Sequence, residues 1–140
     1  MYAVFDESLV TGNELIDSQH KELIDKINKL LECCELGRGK IEAIKTLDFL
    51  AEYTDYHFSA EEELQEKISY PGLAEHKVKH EELRKTVAEL YEMLEEMEGP
   101  TDEFVEAVEK NVVDWLYRHI KGFDCSVATY MQMNNIAEMI

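Results

Sequence analysis

Apolar residues recur three and four positions apart through most of the chain, the repeat of one face of an α-helix. A first stripe runs through Ile16, His20, Leu23, Ile24, Ile27, Leu30, Leu31 and Cys34. A second aligns Ile41, Ile44, Leu47, Leu50, Thr54, His57, Glu61, Leu64 and Ile68. The third keeps the spacing most regularly, through Leu73, His76, His80, Leu83, Val87, Leu90, Leu94 and Met97. A fourth takes Val105, Val108, Val112, Trp115 and His119, and breaks at Gly122. Between the stripes stand Gly37-Arg38-Gly39, Ser69-Tyr70-Pro71-Gly72 and Gly99-Pro100-Thr101-Asp102. Each is a combination that stops or starts a helix.

These marks predict helices at about 17–36, 40–68, 73–98 and 102–121, with a short further helix at about 124–132 and an N-terminal arm over 1–16. Asp17 is expected to cap the first helix, and Thr101 or Asp102 the fourth. Short connections between long helices make neighbours antiparallel. The expected fold is all-α: one domain over 1–140, an up-down-up-down four-helix bundle.

Composition agrees with that frame. A chain of 140 residues, 45 % apolar and 32 % charged, with six Gly and two Pro, suits one helix-rich globular core. A net charge of −17 repels phosphate, which argues against nucleic acid and anionic membrane as partners. No run approaches the roughly 18 apolar residues of a membrane span. The opening residues lack the basic and apolar regions of a signal peptide, so the cytoplasm is the expected location. Cys33, Cys34 and Cys125 contain no Cys-x-x-Cys and are expected to be plain reduced thiols. Oligomeric state leaves no mark.

The histidines change the picture. All five fall on apolar stripes. A lone histidine there is ordinarily a satisfied core residue, but burying five beside Glu61 accumulates a cost of about 1–3 kcal/mol for each unpaired group. A metal compensates all of them together. Residues four apart share a helix face, so His57-x-x-x-Glu61 and His76-x-x-x-His80 are two pairs of convergent ligands. His20 and His119 add one nitrogen each, and Asp124 follows His119 by five residues. Five nitrogens and two carboxylates exceed the four ligands of a tetrahedral zinc, whereas two metals bridged by carboxylates use the whole set. Ligand type admits iron, manganese or zinc. The Glu-x-x-His pairs of ferritin-like di-iron bundles are missing.

The chain resembles the hemerythrins, specifically the bacterial type, over nearly its whole length. The likeness rests on Ile16-Asp17-Ser18-Gln19-His20-Lys21, His57-Phe58-Ser59-Ala60-Glu61-Glu62, Tyr70-Pro71, His76-Lys77-Val78-Lys79-His80, and Trp115-Leu116-Tyr117-Arg118-His119-Ile120 ending at Asp124. The resemblance implies two iron ions with a bridging oxo or hydroxo group. One iron is expected on His76, His80 and His119, and the other on His20 and His57, with Glu61 and Asp124 bridging both. It further implies reversible dioxygen binding at the less crowded iron, for storage, delivery or sensing, rather than an enzymatic reaction. Leu23, Phe58, Trp115, Leu116 and Ile120 match positions that wall the oxygen pocket, although ordinary core packing would place them similarly.

Three positions depart from the family pattern. Phe5 replaces the Trp usual in the arm, Asn13 stands where an apolar residue is common, and Gln65 where Met is frequent. Two other functions use the same residues: a di-iron enzyme acting on peroxide or nitric oxide, and a domain that merely holds iron. A releasable oxygen adduct distinguishes carriage from both.

Overall fold

In the computed structural model, residues 2–96 and 100–134 are described; Met97 and Gly99 lie outside them. The first three helices are α1 (Glu14–Glu35), α2 (Gly39–Lys67) and α3 (Leu73–Glu96). From residue 102 to residue 133 the chain is helical without interruption. Its α-helical parts are α4 (Asp102–Val108), α5 (Asp114–His119) and α6 (Cys125–Met133), joined through π-helical turns at Glu109–Val113 and Ile120–Asp124. α1 packs on α2, α2 on α3, and α3 on α4, giving the all-α bundle that the four stripes predict. No helix among the described residues is long and apolar enough to cross a membrane.

Local chemistry sets the ends. α1 stops at a left-handed cap: Gly37 adopts φ +65°, its N–H reaches Cys34 O at 3.2 Å, and Arg38 N–H reaches Cys33 O at 3.2 Å. α2 stops in the same way, but with Ser69 rather than glycine at φ +56°. Thr101 caps α4 by accepting from Phe104 N, as expected.

The start of α1 corrects the expectation. The helix begins at Glu14, not at residue 17, because the Asn13 side chain accepts from Ile16 N and is the cap. Asp17 instead accepts from Thr11 N at 2.9 Å and Thr11 Oγ1 at 2.8 Å, tying down the arm. A buried cap explains why a polar residue occupies position 13. The arm packs although it carries Phe5: Ala3 and Asn28 exchange two hydrogen bonds of 2.8 and 2.9 Å, and Ala3 and Leu9 are buried.

The fourth stripe is corrected too. Gly122 does not break the helix; the π turn absorbs it. Phe104, Val108, Val112, Val113, Leu116, His119 and Ile120 are buried, whereas Val105 and Trp115 are half-buried. The first π turn adds a residue to one turn and so moves the buried face by one position. Ile41, expected at the start of the second stripe, is 73 % exposed.

Two apolar clusters result. The larger is built on residues such as Leu23, Ile27, Leu47, Leu83, Leu90 and Phe104. The smaller contains Ile16, Leu64, Ile68, Val127 and Met131. Along the chain, His20 falls between Ile16 of the smaller cluster and Leu23 of the larger, Glu61 between Phe58 and Leu64, and Asp124 between Ile120 and Val127.

Candidate metal centre

All seven expected ligands are buried, none more than 3 % exposed, and they come together. Glu61, His76, His80, His119 and Asp124 offer ligand atoms within 4.8 Å of one another; His20, His57, Glu61 and Asp124 form a second such group. Glu61 and Asp124 belong to both. Asp124 divides its oxygens, with Oδ1 at 2.9 Å from His76 Nε2 and Oδ2 at 2.7 Å from His20 Nε2. Glu61 Oε1 lies 3.3 Å from His80 Nε2, 3.6 Å from His57 Nε2 and 3.7 Å from His76 Nε2.

The donor set fits a pair of metal ions. Both oxygens of Glu61 and of Asp124, and the Nε2 atoms of His20, His57 and His80, are buried without a hydrogen-bond partner. His76 Nε2 and His119 Nε2 face each other at 2.9 Å. Around a divalent ion with bonds of about 2.1 Å in octahedral geometry, adjacent ligand atoms stand about 3 Å apart. The observed separations lie near that edge length. Burial first, then the neighbouring His20, pushes the His57 pKa down to about 3; burial and His76 push His80 down to about 2. Both are therefore neutral imidazoles with a free lone pair. Burial opposes ionisation of Asp124, but His119 and His20 overcome it and hold its carboxyl well below the usual range. Burial, then the Asp124 charge, raises Glu61. A pair of divalent cations would reverse that last effect.

Outer partners orient the rings. His57 Nδ1–H donates to Gln19 Oε1 at 2.6 Å, and His80 Nδ1–H to Glu62 Oε2 at 2.7 Å. Gln65 meets His76 Nδ1 at 2.8 Å. Partners of this kind turn Nε2 inward and strengthen a ligand. Sequence reasoning quoted Gln19 and Glu62 but gave them no role. Their signal is a side chain with hydrogen-bonding capacity one residue from a ligand, as Gln65 stands four from Glu61.

Aromatic rings line the centre. Phe58 stacks on His80 with centroids 3.8 Å apart and planes 4° from parallel. Trp115 stacks on His119 at 4.4 Å and 11°. Phe123, which the sequence did not single out, lies 5.3 Å from His119. Leu23, Leu116 and Ile120 are at most 2 % exposed in the larger cluster. Trp115 differs from them. It lines a surface cavity of about 300 Å³ with Lys79, Arg118 and Phe123, so it faces solvent on one side.

A helical bundle with a buried cluster of five imidazoles and two shared carboxylates has the donor set of a non-haem metal-binding protein. The family model described as Hemerythrin HHE cation binding domain matches residues 11–124. The chain belongs to the hemerythrin family. It is 33 % identical over 125 residues to the bacteriohemerythrin of Stenotrophomonas maltophilia, covering 89 % of this chain and 78 % of that protein. With the bacteriohemerythrin of Methylococcus capsulatus it shares 34 % over 108 residues, 77 % of this chain and 79 % of that one. A crystal structure of wild-type hemerythrin superposes with a TM-score of 0.73 at 31 % identity, covering 85 % of this chain and 88 % of that one.

Three free cysteines remain outside the centre. Burial, then Cys33, raises the Cys34 thiol to about 11, which suits an inert side chain.

Proposed function

We propose that the protein binds dioxygen reversibly at a di-iron centre held by His20, His57, Glu61, His76, His80, His119 and Asp124. The inequality of the two donor groups carries this reading. One group counts five side chains and the other four, with two shared. If two ions held by these groups also shared an oxo or hydroxo group, the counts would be six and five, and the His20–His57 side would keep an open position. When bound, the two ferrous ions supply that position and the electrons that dioxygen binding takes.

The chain's own residues do the rest. Asp124 and Glu61, which belong to both donor groups, would hold the two ions together. Gln19 and Glu62 keep His57 and His80 turned inward. Leu23, Phe58, Leu116 and Ile120 exclude water from the open side, and Trp115 covers His119 toward the surface. Exclusion of water limits proton delivery and so favours release of dioxygen over irreversible oxidation. The side chains set on the open side, Leu23, Phe58, Leu116 and Ile120, are apolar, which favours carriage or storage over turnover.

Anaerobic reconstitution with ferrous iron, followed by an oxygen titration, tests this. Two irons per chain, one dioxygen bound per pair and recovery of the ferrous spectrum under vacuum are expected. A limit of one iron, or oxidation that vacuum does not reverse, would overturn the proposal.

A further inference from the structure

Gln65 occupies an unusual place. It is 0 % exposed, as is His76, and its amide lies 2.8 Å from His76 Nδ1. The atom in contact is Nε2, while Oε1 is buried without a partner. Elsewhere in the centre the Nδ1 partners are oxygens, Gln19 Oε1 for His57 and Glu62 Oε2 for His80. Gln19 and Gln65 are both amides that can donate or accept, but Gln19 already presents its oxygen to His57, whereas Gln65 presents its nitrogen to His76.

The contact can therefore be satisfied in two ways. With the imidazole proton on Nε2, that N–H faces His119 Nε2 at 2.9 Å, and the Gln65 amide N–H donates to Nδ1. With Nε2 committed to a metal ion, the proton must sit on Nδ1. A half-turn of the amide then presents Oε1 to receive it, and the unpartnered oxygen gains its bond. A methionine at position 65 can do neither well, and an ionised glutamate can only accept.

We propose that Gln65 is a positioning residue for His76 that follows its tautomer, supporting the ring both without and with a bound ion. It acts through His76, whose outer nitrogen Nδ1 it contacts. The proposal rests on the reading of His76 as a metal ligand and adds to it a role for a side chain that no ligand pattern includes. The amide is a neutral acceptor, so His76 is a weaker electron donor than His80, whose partner is the Glu62 carboxylate.

The test loads zinc, which is diamagnetic, into the full chain and into Gln65→Met and Gln65→Glu. Three quantities are measured: zinc affinity by chelator competition, the His76 ring nitrogen shifts by NMR, and the urea midpoint without metal. For Gln65→Met, zinc affinity falls 10- to 100-fold. Gln65→Glu keeps zinc affinity within a few-fold of the parent but lowers the urea midpoint without metal, because its carboxylate cannot donate to Nδ1. In the parent, zinc moves the proton of His76 from Nε2 to Nδ1. Parent-like affinity and unchanged His76 shifts in Gln65→Met would overturn the role, as would equal loss of affinity in both variants. A parent chain that takes up no zinc at His76 would instead overturn the ligand assignment beneath it, so the two failures read differently.

Discussion

His119 and Asp124 are five residues apart, yet Asp124 Oδ1 lies 3.3 Å from His119 Nε2. On a regular α-helix that spacing sets two side chains about 140° apart around the axis. The π turn at Ile120–Asp124 removes the conflict: Cys125 N–H bonds back five residues to Ile120 O, and the wider turn brings both side chains to one face. Asp124 thereby reaches both donor groups at once.

Asp124→Ala should accordingly cost more than one ligand. It removes Oδ1 from the His76–His119 side and Oδ2 from the His20 side. Metal content is expected to fall from two ions to one or fewer per chain, with helicity preserved, by elemental analysis alongside far-ultraviolet circular dichroism. Two ions retained would mean that Asp124 does not bridge.

His57→Ala should separate the two positions. The group of Glu61, His76, His80, His119 and Asp124 does not contain His57 and keeps its five donors. One tightly held iron should remain while the spectral response to dioxygen disappears. An unchanged oxygen spectrum would move the open position to the other side of the centre.

Much of this centre was legible in the sequence, and the exceptions have physical causes. His57 with Glu61, and His76 with His80, declare themselves because spacing of four on an apolar stripe means convergence on any α-helix. His119 with Asp124 does not, since geometry from spacing assumes a regular helix and the π turns violate it. The same cause misplaced Trp115, half-buried where the stripe expected core, and misread Gly122 as a break. Asn13 outcompeted Asp17 as the cap because Asp17 is already engaged by Thr11. Gln65 appeared as a departure from the family pattern, but its contact with His76 joins two helices and has no sequence signature.

Ser69 offers a stability test away from the centre. It holds φ +56° at the end of α2, where Tyr70 N–H bonds Gln65 O at 2.9 Å and Ser69 N–H bonds Glu66 O at 3.2 Å. Left-handed backbone costs a side-chain-bearing residue on the order of 1 kcal/mol that glycine does not bear. Ser69→Gly should raise the urea unfolding free energy by about 0.5–1 kcal/mol, with metal content unchanged. A loss of stability would show that the exposed serine makes a compensating interaction.

The pH dependence of the metal-stripped protein follows from the buried imidazoles. His57 and His80 titrate near 3 and 2 when folded, against about 6.5 when unfolded. Below about pH 6.5 the unfolded chain takes up protons that the folded protein refuses, so each group withdraws stability as pH falls, approaching about 1.4 kcal/mol per pH unit. Glu61 acts in the opposite sense. Its raised pKa keeps a proton in the folded state, so it opposes folding as pH rises above about 4.5. Burial lowers His119 as well. The lowered imidazoles, His57, His80 and His119, outweigh the one carboxyl. The expected net result is a decline in stability that steepens as pH falls from about 6.5 to about 4.5. Urea midpoints of the chelator-treated protein across this range measure it directly. Stability that stays level to pH 4.5 would place these histidines in water, and with them the premise of a buried ligand cage.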